Sequence, residues 1–166
     1  MKVFNKNVFD KTAQAVKENP KAGIEKFKAH LEFEEGLRAN IRIRNFAPFK
    51  VDEPEVLGST NLAPNPVEYL ISGAVGCFTV GVALNAHLNN VKINSLSADL
   101  EANLDMGVFF DAVQGGEHGI TEICITLTVD TDGTMEQINS FVQKSLSHSP
   151  VLNSLKMKAK VIVIKK

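Results

Sequence analysis

Residues 66–89 constrain this chain more than any other stretch. They read Pro-Val-Glu-Tyr-Leu-Ile-Ser-Gly-Ala-Val-Gly-Cys-Phe-Thr-Val-Gly-Val-Ala-Leu-Asn-Ala-His-Leu-Asn. Pro suits the first position of a helix, where its missing N–H would go unpaired anyway. From there to Leu88 the run carries no charged residue except Glu68, and small residues (Gly73, Ala74, Gly76, Gly81, Ala83) are scattered through it. A helix apolar nearly all round belongs inside a protein. Its continuous apolar part, residues 69–84, is shorter than the roughly 20 residues a spanning helix needs. The expectation is therefore a core helix and no membrane. One thiol, Cys77, stands in its middle. It is either an inert core residue or a placed reactive group, and that choice decides what the protein does.

The flanking patterns predict the rest of the fold. Residues 7–19 predict a short helix closed by Pro20. Residues 24–34 and 37–44 predict a hairpin broken at Glu35-Gly36. In its second strand Leu37, Ala39, Ile41 and Ile43 alternate with Arg38, Asn40, Arg42 and Arg44. A short strand at Phe49–Val51 and a loop over 52–65 lead to the long helix. After it come strands at 92–104 and 121–130, a Gly-rich loop between them, a helix at 134–147, a short helix from Ser149-Pro150, and a strand at 161–164. Strands in hairpins and helices in runs predict an α+β fold with antiparallel sheet.

The 166 residues suffice for one domain with a sizeable core. Residues 1–166 read as that single domain, with 1–21 a helical extension. A helix apolar on all sides needs more cover than one small sheet offers, so a symmetric homodimer joined at the small residues is expected. The formal net charge is −1 with no large basic block, so no nucleic-acid partner is expected. Lys156, Lys158 and Lys160 read as a solvated face. The N-terminus from Met1 to Lys6 is too polar for a secretory signal, which predicts a cytoplasmic protein. Two cysteines make no disulfide framework.

A catalytic thiol needs a nearby cation to hold it as thiolate. Arg38, Arg42 and Arg44 share the polar face of the predicted strand and could supply one. Cys124 alternates with Ile123 and Ile125 and is expected as a structural thiol on the less buried face. Of His30, His87, His118 and His148 none has metal-site spacing, so neither metal nor cofactor is expected. His148 is the only histidine with a claim on a site, and a surface loop is its plainer reading.

Asn65-Pro66-x-Glu68-x-Leu70 followed by Gly73-Ala74-x-Gly76-Cys77 resembles the OsmC/Ohr family of osmotically inducible and organic-hydroperoxide-resistance proteins. The resemblance runs from Asp52-Glu53-Pro54 and Gly58 to Ser149-Pro150-Val151, and in element order covers about residues 22–164. It implies an intertwined homodimer with two central helices back to back and antiparallel sheets wrapped round them. It also implies a chemistry: a thiolate on the central helix attacks a peroxide, an Arg activates that thiolate, a Glu orients the Arg, and a second Cys resolves the sulfenic acid as a disulfide.

Carried over residue by residue, the reacting Cys matches Cys77 and the resolving position is Ser149, which cannot form a disulfide. The family's Glu position holds Val67, and the acid follows at Glu68. Nine residues is two and a half turns, so Glu68 lies on the face opposite Cys77. The Arg is sought at Arg42 or Arg44. The resemblance thus implies a divergent member without its resolving Cys, with Cys77, Arg42, Arg44 and Glu68 as candidate catalytic residues. Two functions follow. One is a one-Cys thiol peroxidase of the oxidative stress response, with an external thiol reductant and with Tyr69 and Phe78 at the dimer cleft favouring organic hydroperoxides. The other is a non-peroxidase relative binding a small apolar or thiol ligand in that cleft.

Overall fold

The structure is a computed structural model and describes residues 4–155 and 159–166. The first three residues of the polar N-terminus, and Lys156 and Lys158 of the basic run, lie outside the described residues. The chain divides into two compact units, Met1–Tyr69 and Leu70–Lys166.

In the first unit, helix α1 (Lys6–Glu18) is capped by Asn5, whose side chain accepts from the Val8 N–H. Strands β1 (His30–Phe33), β2 (Ala39–Arg42) and β3 (Phe49–Val51) form an antiparallel sheet in that order. The strands are shorter than the alternation predicts, since pairing runs only from His30 opposite Arg42 to Phe33 opposite Ala39; polar side chains tie down the turn between them. Arg38 pairs with Glu34 and Glu35, and Lys50 Nζ lies 2.6 Å from Glu34. The Lys50 hydrogen bond, with a second from Asn40, holds the Glu34 carboxyl below its usual range.

The loop leading to the long helix is organised around Asp52, which is only 1% exposed. Burial alone would raise its carboxyl. The Leu62 N–H at 2.9 Å, the Ser59 and Thr60 hydroxyls and the Glu53 N–H at 2.8 Å outweigh burial and hold it far below the usual carboxylate range. A folded-state pKa below the unfolded one gives stability that is complete above the unfolded value, about 4, and fades as pH falls beneath it. Asp52→Asn should therefore lower the urea midpoint at neutral pH, and the gap from the parent should narrow progressively as pH falls below about 4. A gap constant with pH would refute this role.

Helix α2 (Pro66–Leu88) begins at a reciprocal cap. The Asn65 side chain accepts from the Glu68 N–H at 2.9 Å, and the Glu68 carboxylate accepts from the Asn65 N–H at 2.7 Å. Tyr69 donates its hydroxyl to the Lys50 carbonyl at 2.6 Å, and its ring packs on Phe49.

The second unit holds the rest of α2 with β4 (Ile93–Leu104), α3 (Met106–Phe109), β5 (Ile120–Thr131), α4 (Met135–His148), α5 (Pro150–Ser154) and β6 (Ala159–Lys165). Its sheet runs β4-β5-β6. β4 and β5 are antiparallel, but β5 and β6 are parallel. That corrects the all-antiparallel expectation. Two helices intervene between β5 and β6, and such a crossover brings the chain back in its original direction. The core joins Ala74, Phe78, Val82 and Ala86 of α2 to Ile123, Ile125, Leu127 and Val129 of β5 and Ile138, Phe141 and Val142 of α4.

Within this unit α2 buries one stripe rather than its whole circumference: Ala74, Phe78, Val82, Asn85 and Ala86. Leu70 and Val80 stay 41% and 68% exposed. The helix runs over 23 residues from Pro66, as expected; by length and composition alone it could cross a membrane, a test that core helices also pass.

Candidate functional site

Cys77 lies in the middle of α2, half-buried, beside the core residue Phe78. Its polar neighbour comes from the corner between α4 and α5. Pro150 occupies the first position of α5, and the residue before a proline is driven out of the helical region. Ser149 accordingly sits at φ −68° and ψ 112° and caps α5 with its side chain. Its hydroxyl oxygen accepts from the Leu152 N–H at 3.2 Å, and its proton is donated to Cys77 Sγ, also at 3.2 Å. Asn153 fastens the corner by donating to the Ser149 carbonyl at 2.7 Å and the Leu146 carbonyl at 3.2 Å. Ser149 is only 3% exposed. The structure thus brings Ser149 against Cys77, residues 72 positions apart in sequence.

Cys124 is elsewhere. Ile123 and Ile125 point into the core shared with α2, so Cys124 points from the opposite face of β5. In register it stands between Glu101 of β4 and Lys160 of β6. Within the second unit the sheet itself separates it from Cys77, which removes it as a resolving thiol there.

The candidate arginines and Glu68 belong to the first unit. Arg42 ends β2 and is exposed, in a shallow groove with His30, Glu32 and Asn40. Arg44 is not in the strand. It lies beyond β2 at φ 52°, with its guanidinium 4.6 Å from the centre of the Phe46 ring. Arg38 also lies outside β2, so only Arg42 keeps the strand position expected of the three. Glu68 is engaged in the helix cap described above. Phe78, expected at a cleft, is fully buried in the core instead. The reason is its helical phase: it shares the inward stripe with Ala74 and Val82. His148 ends α4 with Nδ1 2.8 Å from Ser147 Oγ and 3.0 Å from the Lys144 carbonyl. Among the described residues no group of three or more His, Cys, Asp or Glu could hold a metal ion.

Residue-level reading missed Asp52, the most thoroughly hydrogen-bonded acid described. Its partners lie up to ten positions downstream in an irregular loop, and no periodicity links them. The available signal was an Asp followed by Ser, Thr and Asn residues between two prolines.

The site is thus a half-buried thiol held by a hydroxyl donor, with the other cysteine of the chain on the far face of the sheet. A family profile described as OsmC-like protein matches residues 58–164. A search among curated proteins finds no match. Similar solved structures include an OsmC-like protein from Mycoplasma pneumoniae, 18% identical with a TM-score of 0.72, covering 85% of this chain and 97% of that one. An OsmC-like protein of unknown function from Vibrio cholerae is 12% identical with a TM-score of 0.73, covering 85% and 100%. The organic hydroperoxide resistance protein OhrB of Bacillus subtilis is 19% identical with a TM-score of 0.54, covering 86% and 98%. At these identities the structures speak to the fold. With the profile matching more than half of its length, the chain belongs to the OsmC-like protein family.

Proposed function

We propose that this protein reduces organic hydroperoxides through Cys77 and is returned to the thiol by an external thiol reductant. The observation that carries this reading is the 3.2 Å approach of Ser149 to Cys77. The residue that the family resemblance assigns to the resolving position does lie against the sulfur it would resolve. Fold neighbours that are organic hydroperoxide resistance proteins add support.

The reaction balances with one cysteine. The Cys77 thiolate attacks the distal peroxide oxygen and the O–O bond breaks. The alkoxide leaves and is protonated to the alcohol, and the sulfur is oxidised to sulfenic acid. One external thiol displaces water to form a mixed disulfide. A second attacks that disulfide, releasing Cys77 as thiol and an external disulfide. The activating cation is assigned to Arg42 or Arg44. Among the described residues, ion pairs engage Arg38 and neither of these two.

The protein is further proposed to be a cytoplasmic homodimer. Gly73, Gly76, Val80 and Ala83 follow a three-four spacing along α2, and a Cβ built on Gly73 or Gly76 meets nothing within 4 Å. Among the described residues their smallness serves no close approach. A second α2 crossing there would use it, and would cover Val80 without lipid.

The test is intact-mass spectrometry after stoichiometric cumene hydroperoxide with dimedone present. A rapid adduct on Cys77 is expected. It should be absent in Cys77→Ser and slowed in Arg42→Ala or Arg44→Ala. No adduct at large peroxide excess would exclude the peroxidase and leave the ligand-binding reading. The detergent-free preparation should have a mass near twice 18.1 kDa. A monomer at micromolar concentration would overturn the dimer.

A further inference from the structure

We propose that Ser149 is a positioning residue for Cys77, its hydroxyl stabilising the anionic sulfur before reaction and the sulfenate after it. This rests on the reading of Cys77 as the reacting group. In the hydrogen bond between them the Ser149 hydroxyl donates to Cys77 Sγ. The Leu152 backbone N–H can only donate, and at 3.2 Å it occupies a lone pair of the Ser149 oxygen. That contact uses an acceptor site and leaves the hydroxyl proton free for Sγ. A chain from N–H to O–H to sulfur polarises along its length and strengthens toward a negative acceptor. Burial of Ser149 keeps water from competing for that proton. Pro150 and the Asn153 bonds hold the corner, so the hydroxyl is in place before any charge appears on the sulfur.

The position that the family resemblance gives to a condensing thiol thereby acquires a different task. With hydroxyl in place of thiol, and with Cys124 behind the sheet, the oxidised sulfur finds no disulfide partner within its own protomer's second unit. The same hydroxyl donates to the sulfenate oxygen or sulfur and holds the oxidised state until an external thiol arrives.

The experiment measures carbamidomethylation of Cys77 by iodoacetamide against pH in the full chain, with Cys124 followed as an internal standard. Ser149→Ala is expected to slow the reaction at neutral pH by about tenfold, the size of one hydrogen bond to a charged group. Its pH–rate profile should move to higher pH, with a plateau at high pH equal to or a little above the parent's, because a more basic thiolate is the better nucleophile. Ser149→Thr, which keeps the hydroxyl and the cap, should restore the parent profile. A parent-like profile in Ser149→Ala overturns the proposal. So does a raised plateau without displacement, which would mean that the residue only limits access. Dimedone trapping on the parent separates the two readings. If peroxide gives no adduct yet Ser149→Ala displaces the alkylation profile, the peroxidase fails and the thiolate donor stands.

Discussion

Ser149→Cys should convert Cys77 into half of a disulfide-forming pair. The parent hydroxyl oxygen already stands 3.2 Å from Sγ, and the two side chains point at one another from α2 and from the corner before α5. Stoichiometric peroxide should oxidise Cys77 to sulfenic acid, and the new thiol should attack it and release water. By intact mass the variant should lose two hydrogens where the parent gains oxygen, and the dimedone adduct should largely disappear. Peptide mapping should find the 77–149 bond and leave Cys124 free. Because the bond closes a loop between residues 72 apart, the oxidised variant should also unfold at higher urea, by about 4 kcal/mol on the loop-entropy account. An undiminished dimedone adduct on Cys77 would show that the approach is not close enough for a bond, since disulfide geometry tolerates little deviation.

Such a variant can be specified because part of the site was legible in the sequence. Helix α2 carried its own boundaries: Pro66 in front, an uninterrupted apolar run, and polar Asn89 and Asn90 behind. Strand β5 announced itself through Ile123, Ile125, Leu127 and Val129, and those four are its buried residues in the core. The same alternation sent Cys124 to the other face. What the sequence could not carry was pairing. Nothing local to residues 159–165 says whether they meet β5 parallel or antiparallel; the helices in between decide it.

Arg44 shows a similar limit. Its alternation with Arg42 predicts continued strand, yet the backbone there is left-handed and the guanidinium stacks on Phe46 two residues later. A period-2 pattern cannot mark where hydrogen-bonded pairing stops. The neighbourhood of Cys77 was legible only through the resemblance, since no spacing rule brings together two residues so far apart in sequence. Once Ser149 is taken as the neighbour, the local chemistry follows from Pro150 and from capping preferences that any sequence displays.

Packing between α2 and α4 supports the second large effect, expected at Gly81. This residue is one helical turn beyond Cys77 on α2. A Cβ there would lie 3.0 Å from Ser145 Oγ and 3.1 Å from Ser145 Cβ. Ser145 cannot swing away freely, because it is buried and donates to the Phe141 carbonyl at 2.7 Å. Gly81→Ala combines a tight contact with the removal of glycine's flexibility in a helix, worth roughly 0.5–1 kcal/mol, and should be close to neutral. Gly81→Val adds two branched methyls where one carbon already touches α4. Overpacking of this kind costs about 1–3 kcal/mol, so a fall in the urea midpoint at unchanged m is expected. Pairing Gly81→Val with Ser145→Gly should recover part of the loss, because the carbon and oxygen it meets are then gone, less the roughly 0.5–1 kcal/mol that a glycine costs inside α4. The displacement would also reach the site, since α4 ends at His148 and Ser149 follows directly. In Gly81→Val the alkylation profile of Cys77 should therefore move in the same direction as in Ser149→Ala. A valine variant as stable as the parent would mean that α2 and α4 are not held at the distance described, and that Ser149 owes its place to the α4–α5 corner alone.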